Sequence, residues 1–125
     1  MNESELKQRT KTFALRIIKL VAALPKTTAG RTVGNQLMRS GTSVGANYRA
    51  ACRGRSKSEF IAKLGIVEEE ADESAFWMDL VVESGLMKES LVNELLKEAS
   101  ELVAIMAASR ISASKSQIGN RKLKN

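Results

Sequence analysis

Phe60, Leu64, Val67, Ala71, Ser74, Met78 and Val81 follow one another at alternating spacings of four and three without a miss. Such a spacing holds one stripe of a helix against a partner, and it lasts far longer than a period-two strand pattern could. It commits residues 57–84 to a long amphipathic helix that is stable only when other helices cover the stripe. Ser56 and Glu59 stand at capping-box spacing at its start, with Ser56 capping and Glu59 reaching back, and Gly85 follows its end. The residue palette agrees with a bundle. Of 125 residues 43% are hydrophobic, and Leu, Ala, Val, Ile and Met dominate over three Phe, one Trp and one Tyr. A β-sandwich would want more aromatic and β-branched runs broken by turns, whereas this chain has a single proline. The length suits one domain with one core.

Three further helices are legible around that stripe. The first covers about residues 2–24, with Leu6, Phe13, Ile17, Leu20 and Leu24 on one face and Asn2 and Glu5 at capping-box spacing. Pro25 stops it, since proline lacks an amide hydrogen and biases Leu24 away from helical geometry. The second covers about residues 28–53, capped by Thr27 or Thr28. Gly54 lies just past its end, where a left-handed conformation is easiest without a Cβ. The fourth covers about residues 88–113, with Leu91, Leu95, Leu102, Ile105 and Met106 inward and Glu94, Lys97, Glu98 and Glu101 outward. Short connections make neighbours antiparallel. The expected fold is all-α: an antiparallel up-down-up-down four-helix bundle over residues 1–113, followed by a basic disordered tail at 114–125.

The chemistry is bounded by what is missing. There is no histidine and one cysteine, so Ser-His or Cys-His nucleophile pairs and the usual metal sets cannot be assembled. Glu68-Glu69-Glu70-Ala71-Asp72-Glu73 is acidic enough to suggest metal ligation, but carboxylate-bridged metal bundles pair glutamate with histidine. A solvated or salt-bridged face is the expected reading. Cys52 sits near Arg49, Arg53 and Arg55, which would lower a thiol pKa, and is expected to be a buried structural thiol. The N-terminus is charged and the longest apolar run, Leu102 to Ala108, is too short to cross a bilayer. The expectation is a soluble, cytoplasmic protein with no membrane partner, no cofactor, no metal and no catalytic residues.

The net charge of +6 is divided by element. Residues 25–57 carry Lys26, Arg31, Arg39, Arg49, Arg53, Arg55 and Lys57 without an acid, whereas residues 58–101 carry twelve acids against three bases. On a helical wheel Arg31, Arg39, Arg49, Arg53 and Lys57 share one narrow face, with Arg55 apart. Val33, Leu37, Gly41, Val44, Gly45, Tyr48, Ala51 and Cys52 share another. Gly34, Gly41 and Gly45 each cost a helix about 0.8–1 kcal/mol, which points to close approach by a neighbouring backbone or by a bulky side chain such as Phe76 or Trp77. Ser40, Thr42, Ser43 and Asn47 offer hydrogen bonds across a packed helix interface, or simply cap polar gaps.

Two readings of the basic face stand side by side. One is phosphate binding, with Arg31, Arg39, Arg49, Arg53, Arg55 and Lys57 as nucleic-acid contacts. The other is ion pairing, within the bundle or between subunits, with the acids Glu68, Glu69, Asp72, Glu73, Asp79 and Glu83 of the third helix. Candidate helix or oligomer interface positions are Gly41, Gly45, Tyr48, Asp72, Trp77 and Asp79.

Several blocks of the sequence resemble a known family. These are Leu24-Pro25, Gln36-Leu-Met-Arg-Ser40, Thr42-Ser-Val-Gly-Ala-Asn47-Tyr-Arg-Ala50, Arg55-Ser-Lys-Ser-Glu-Phe60, and Glu68-Glu-Glu-Ala-Asp-Glu-Ser74 through Trp77. They are similar to the bacterial four-helix bundle proteins first noted as reading frames within intervening sequences of 23S ribosomal RNA genes. The resemblance spans about residues 10–110. It implies the antiparallel bundle, a ring-like homopentamer and no known catalytic activity. More distantly, the chain is similar to the accessory variability determinant of diversity-generating retroelements, a pentameric bundle whose basic surface binds nucleic acid and a reverse transcriptase. By that analogy ribosomal RNA or another nucleic acid is the expected partner besides the protein itself.

Overall fold

The structure is a computed structural model that describes the backbone of residues 1–124 and the side chains of residues 1–119. Helix α1 runs Glu3–Ala22, α2 Thr28–Cys52, α3 Lys57–Glu83 and α4 Asn93–Lys124, with a single 3-10 turn at Glu89–Leu91 before α4. The helices pack as an antiparallel bundle in chain order, α1 on α2, α2 on α3 and α3 on α4.

Local chemistry sets the helix ends. The Asn2 carboxamide oxygen accepts from the Glu5 amide at 2.8 Å, and its Nδ2 donates to the Glu5 carboxylate at 3.2 Å. Thr27 caps α2 by accepting from Gly30 N at 3.1 Å. Ser56 caps α3 through the Glu59 amide at 3.1 Å, while the Glu59 carboxylate accepts from the Arg55 amide at 3.2 Å, one residue before the cap. At the far end of α3, Gly85 takes φ +76°, the Gly85 amide donates to Val82 O at 3.1 Å and the Leu86 amide to Val81 O at 3.0 Å. That pair of bonds and the left-handed glycine form a Schellman motif. Gly54 does not do the same, since its φ is not positive. Its value is spatial: a Cβ there would stand 3.1 Å from Ala51 O and 3.4 Å from Phe60 N.

The core repeats the four-three rhythm on every helix. In α1 it is Leu6, Thr10, Phe13, Ile17 and Leu20, continued by Leu24; in α3, Leu64, Val67, Ala71, Ser74, Met78 and Val81 are buried, with Phe60 at the rim. Thr10 fills the step between Leu6 and Phe13, with its hydroxyl donated to Leu6 O at 2.9 Å so that no polar atom is stranded. Facing one another across α2 and α3, the Ser40 and Ser74 hydroxyls are hydrogen-bonded at 3.0 Å, and both are fully buried. Thr42 and Asn47 bond back within α2, to Met38 O at 2.7 Å and Ser43 O at 3.0 Å.

Helix α4 departs from the sequence reading at both ends. It begins at Asn93 rather than near residue 88, so Leu91 falls in the 3-10 turn and is 66% exposed. The tighter turn shifts the phase, and Val92 takes the buried place, followed by Leu95, Ala99, Leu102 and Met106. Ile105 packs only at the edge of the core. The helix then continues to Lys124, through residues 114–124 read from composition as a disordered tail; Asn125 lies outside the described residues. Extending an existing helix adds one bond per residue fixed, and the first turns beyond residue 113 are held against α3. Lys57 Nζ donates to Ser116 Oγ at 2.9 Å, and Gln117 Nε2 donates to Ser58 Oγ at 2.6 Å.

Helices α1 and α4 close the bundle only lightly. A charged clamp spans that seam. Arg9 donates Nε and Nη2 to the two carboxylate oxygens of Glu98 at 2.8 and 2.6 Å, and Nη2 also reaches Glu101 at 2.8 Å. The guanidinium bonds hold the Glu98 carboxyl below the ordinary glutamate value against the opposing effect of burial.

Candidate nucleic-acid interface

Small residues on α2 bring α1 unusually near. A Cβ on Gly45 would lie 3.2 Å from Thr10 O and 3.7 Å from Lys11 Cα, and one on Gly34 would lie 3.3 Å from Val21 Cγ1. Gly41 is tighter still, against the side chain of Ile17. The glycines therefore accommodate α1. At Gly45 the near neighbour is backbone, one of the two alternatives the sequence offered, and at Gly34 and Gly41 the side chains are Val21, Leu24 and Ile17 rather than Phe76 or Trp77. Those two rings sit together on α3, edge to face at 5.1 Å between centroids.

Where α1 and α2 approach at Gly45, their outer faces border a groove of about 540 Å³ lined by Ser4, Lys7, Gln8, Lys11, Thr42, Arg49 and Arg53, with Ala14, Gly45 and Ala46 as its small-residue floor. Lys7 and Lys11 are one helical turn apart on α1, and Arg49 stands one turn before Arg53, the residue that caps the C-terminal end of α2. Two rows of cations face each other across the groove, and no carboxylate lines it. At its rim Lys7 pairs with Glu3 at 3.3 Å, an exposed contact of little energetic weight. Among the described residues Lys11, Arg49 and Arg53 make no ion pair.

The basic face read from the wheel is thus divided. Arg49 and Arg53 meet the α1 lysines, which the wheel of a single helix could not bring in. Arg39 turns to α3, donating Nη1 to Glu70 at 3.2 Å and Nη2 to Glu73. The charge of Glu70 is the main cause of its raised guanidinium pKa. Arg31 lies beside a small crevice with Lys26, Gly30 and Asn35 at the opposite end of α2, roughly 27 Å from Arg49. Arg55 is exposed in the α2–α3 connection, and Lys57 is bonded to Ser116.

The candidate interface positions also separate. Gly41, Gly45 and Tyr48 belong to the helix packing within one bundle, Tyr48 being buried. Asp72 and Asp79 are exposed on α3 and form no ion pair among the described residues. Trp77 is half-buried and donates Nε1 to Glu73 at 3.2 Å. Of the other α3 acids, Glu68 accepts from Arg110 of α4 at 3.0 Å. Cys52 is half-buried, and burial pushes its thiol up rather than down, contrary to the effect that neighbouring arginines alone would have. Among the described residues no group of three acidic or thiol side chains is placed to hold a metal, and no helix is long and apolar enough to cross a membrane.

Fold and groove together define an all-α antiparallel four-helix bundle with a cationic cleft between its first two helices. Within that class, residues 2–108 match the model of the 23S rRNA-intervening sequence protein family, and the chain belongs to that family. A solved structure of a protein of unknown function from the S23 ribosomal protein family of Bacteroides thetaiotaomicron VPI-5482 is similar. It shares 28% identity at a TM-score of 0.82, over 88% of this chain and 98% of that one. Among curated proteins none matches.

Proposed function

We propose that this protein is a non-enzymatic, homo-oligomeric accessory protein that binds RNA or DNA through the groove between α1 and α2. One observation carries the reading: Lys7, Lys11, Arg49 and Arg53 converge from two helices on a cleft lined by no carboxylate. Four like charges held together disfavour the free protein and favour an anionic ligand, and release of condensed counterions supplies the binding free energy. A cytoplasmic location and, from the family resemblance, a pentameric state complete the proposal. Binding to a structured ribosomal RNA fragment, followed by fluorescence anisotropy across a salt series, tests it. Arg49→Glu with Arg53→Glu should abolish binding while Arg31→Glu changes it little. Binding that is undetectable at low salt, or equal in all three proteins, would sink the proposal.

A second reading has its own support. Arg39 is neutralised by Glu70 and Glu73, so part of the basic face serves ion pairing, and Asp72 and Asp79 remain available to another subunit. In this reading the charges organise self-assembly as a scaffold. Asp72→Lys with Asp79→Lys should then shift the oligomer mass in light scattering, and an unchanged mass would count against it.

A further inference from the structure

The groove says something about the form of nucleic acid it would take, given the polyanion reading on which this inference rests. Proteins that hold unpaired strands combine a cationic track with aromatic faces on which successive bases stack, each base contributing about 1–3 kcal/mol. This chain has five aromatic residues, three Phe, one Trp and one Tyr, and all of them are placed. Phe13 and Tyr48 are buried in the core. Phe60 packs half-buried at the core's edge, beside a shallow crevice between α3 and α4, on the side of the bundle opposite the groove. Phe76 and Trp77 are roughly 30 Å along α3 from its basic end at Lys57. They stand among Asp72, Glu73 and Asp79, where a phosphate chain is repelled, and the Trp77 indole is committed to Glu73. None of the five lines the cleft.

What the cleft does offer is charge in a fixed arrangement. Each helix presents two cations one turn apart, about 5–6 Å between Cβ atoms, a spacing comparable with that of neighbouring phosphates on one strand. Arg49 and Arg53 add planar forks suited to phosphate oxygens. Of the cleft's uncharged polar side chains, Gln8 donates to Thr12 Oγ1 at 3.3 Å and Thr42 to Met38 O at 2.7 Å, both within their own helices, which leaves Ser4 at one end. The floor of Ala14, Gly45 and Ala46 has no side-chain group that could read a base edge. A site that gains nothing from stacking must rely on charge density, and a duplex carries one charge per about 1.7 Å of axis, more than an unpaired strand.

We infer that the α1–α2 groove is a sequence-independent duplex-backbone site, seating the phosphates of a double-stranded nucleic acid between the Lys7/Lys11 and Arg49/Arg53 rows. The probes are a 20-base-pair RNA duplex, a DNA duplex of the same sequence, duplexes of an unrelated sequence, and an unpaired oligouridine of equal length. Affinities of the intact protein are measured from 50 to 200 mM salt. The expected result is duplex binding at least ten-fold tighter than oligouridine and equal for the two sequences. Its log–log salt slope, about −3.6 for four phosphates, should fall by about half in Arg49→Gln, Arg53→Gln. The RNA and DNA arms decide which duplex is preferred, and either supports the inference. Oligouridine binding as tightly as the duplexes, or duplexes distinguished by sequence, would overturn it and leave the groove a polyanion site. If no probe binds even at 50 mM salt, the polyanion reading falls as well. Circular dichroism of the exposed-site variant separates lost contacts from lost fold.

Discussion

A Cβ added to Gly41 would stand 2.6 Å from both Cγ1 and Cγ2 of Ile17 and 2.9 Å from its Cβ, so the second helix can carry nothing larger than glycine where the first crosses it. Ile17 is fully buried and branched at the atom in contact, which leaves it no soft rotamer to yield with. Gly41→Ala should therefore destabilise the bundle by about 1–3 kcal/mol through overpacking, outweighing about 1 kcal/mol gained in helix propensity. Gly65→Ala is the counterpart: its nearest neighbour would be Arg110 Cδ at an ordinary 3.8 Å. It should stabilise α3 by up to about 1 kcal/mol. Urea unfolding of both variants tests the pair, and a Gly41→Ala protein as stable as the wild type would show that α1 can move away.

The clamp between Arg9 and Glu98 makes stability depend on pH in a definite direction. The Glu98 carboxyl is held low, first by its bonds to Arg9. Its contribution is therefore present above the unfolded glutamate value of about 4.3 and is lost as pH falls through the lower folded value. Glu98→Gln should lower stability by about 1 kcal/mol at pH 7, given that both partners are partly exposed. The gap in Tm between wild type and variant should close as the pH is taken below about 4. A gap constant from pH 7 to 3 would mean the charge of Glu98 contributes nothing.

The buried hydroxyl pair of Ser40 and Ser74 should behave as one unit. Ser74 Oγ also bonds Glu70 O at 2.8 Å, so Ser40→Ala strands no hydrogen and should cost about 0.5–1.5 kcal/mol. The double variant Ser40→Ala, Ser74→Ala should cost less than the two single changes added together, since each single change already removes the shared bond. Strict additivity in thermal unfolding would show that the hydroxyls do not interact.

Cys52 should be a slow thiol. Burial pushes it above its ordinary value, so the thiolate fraction at neutral pH is smaller than that of a free cysteine. Labelling by an aromatic disulfide reagent at pH 7.5 should run slower in the native protein than in urea. Equal rates would place the sulfur in an open, activated setting instead.

How much of this was legible beforehand differs by level. The four-three stripes of α1 and α3, the Asn2 and Ser56 caps and the antiparallel order follow from the sequence, because helical period and capping are local properties of a dozen neighbouring residues. Where α4 begins and ends did not follow, since Val92 replaces Leu91 inside only when the preceding turn tightens, and the stretch past residue 113 gains partners in Ser58 and Lys57 of another helix. The groove shows the same division. A wheel places Arg39, Arg49 and Arg53 on one face, because their angular positions depend on α2 alone. Only packing assigns Arg39 to the carboxylates of α3 and leaves Arg49 and Arg53 opposite Lys7 and Lys11. Partners for a long, flexible cation lie on other helices, and which helix arrives is decided by where glycine lets it approach.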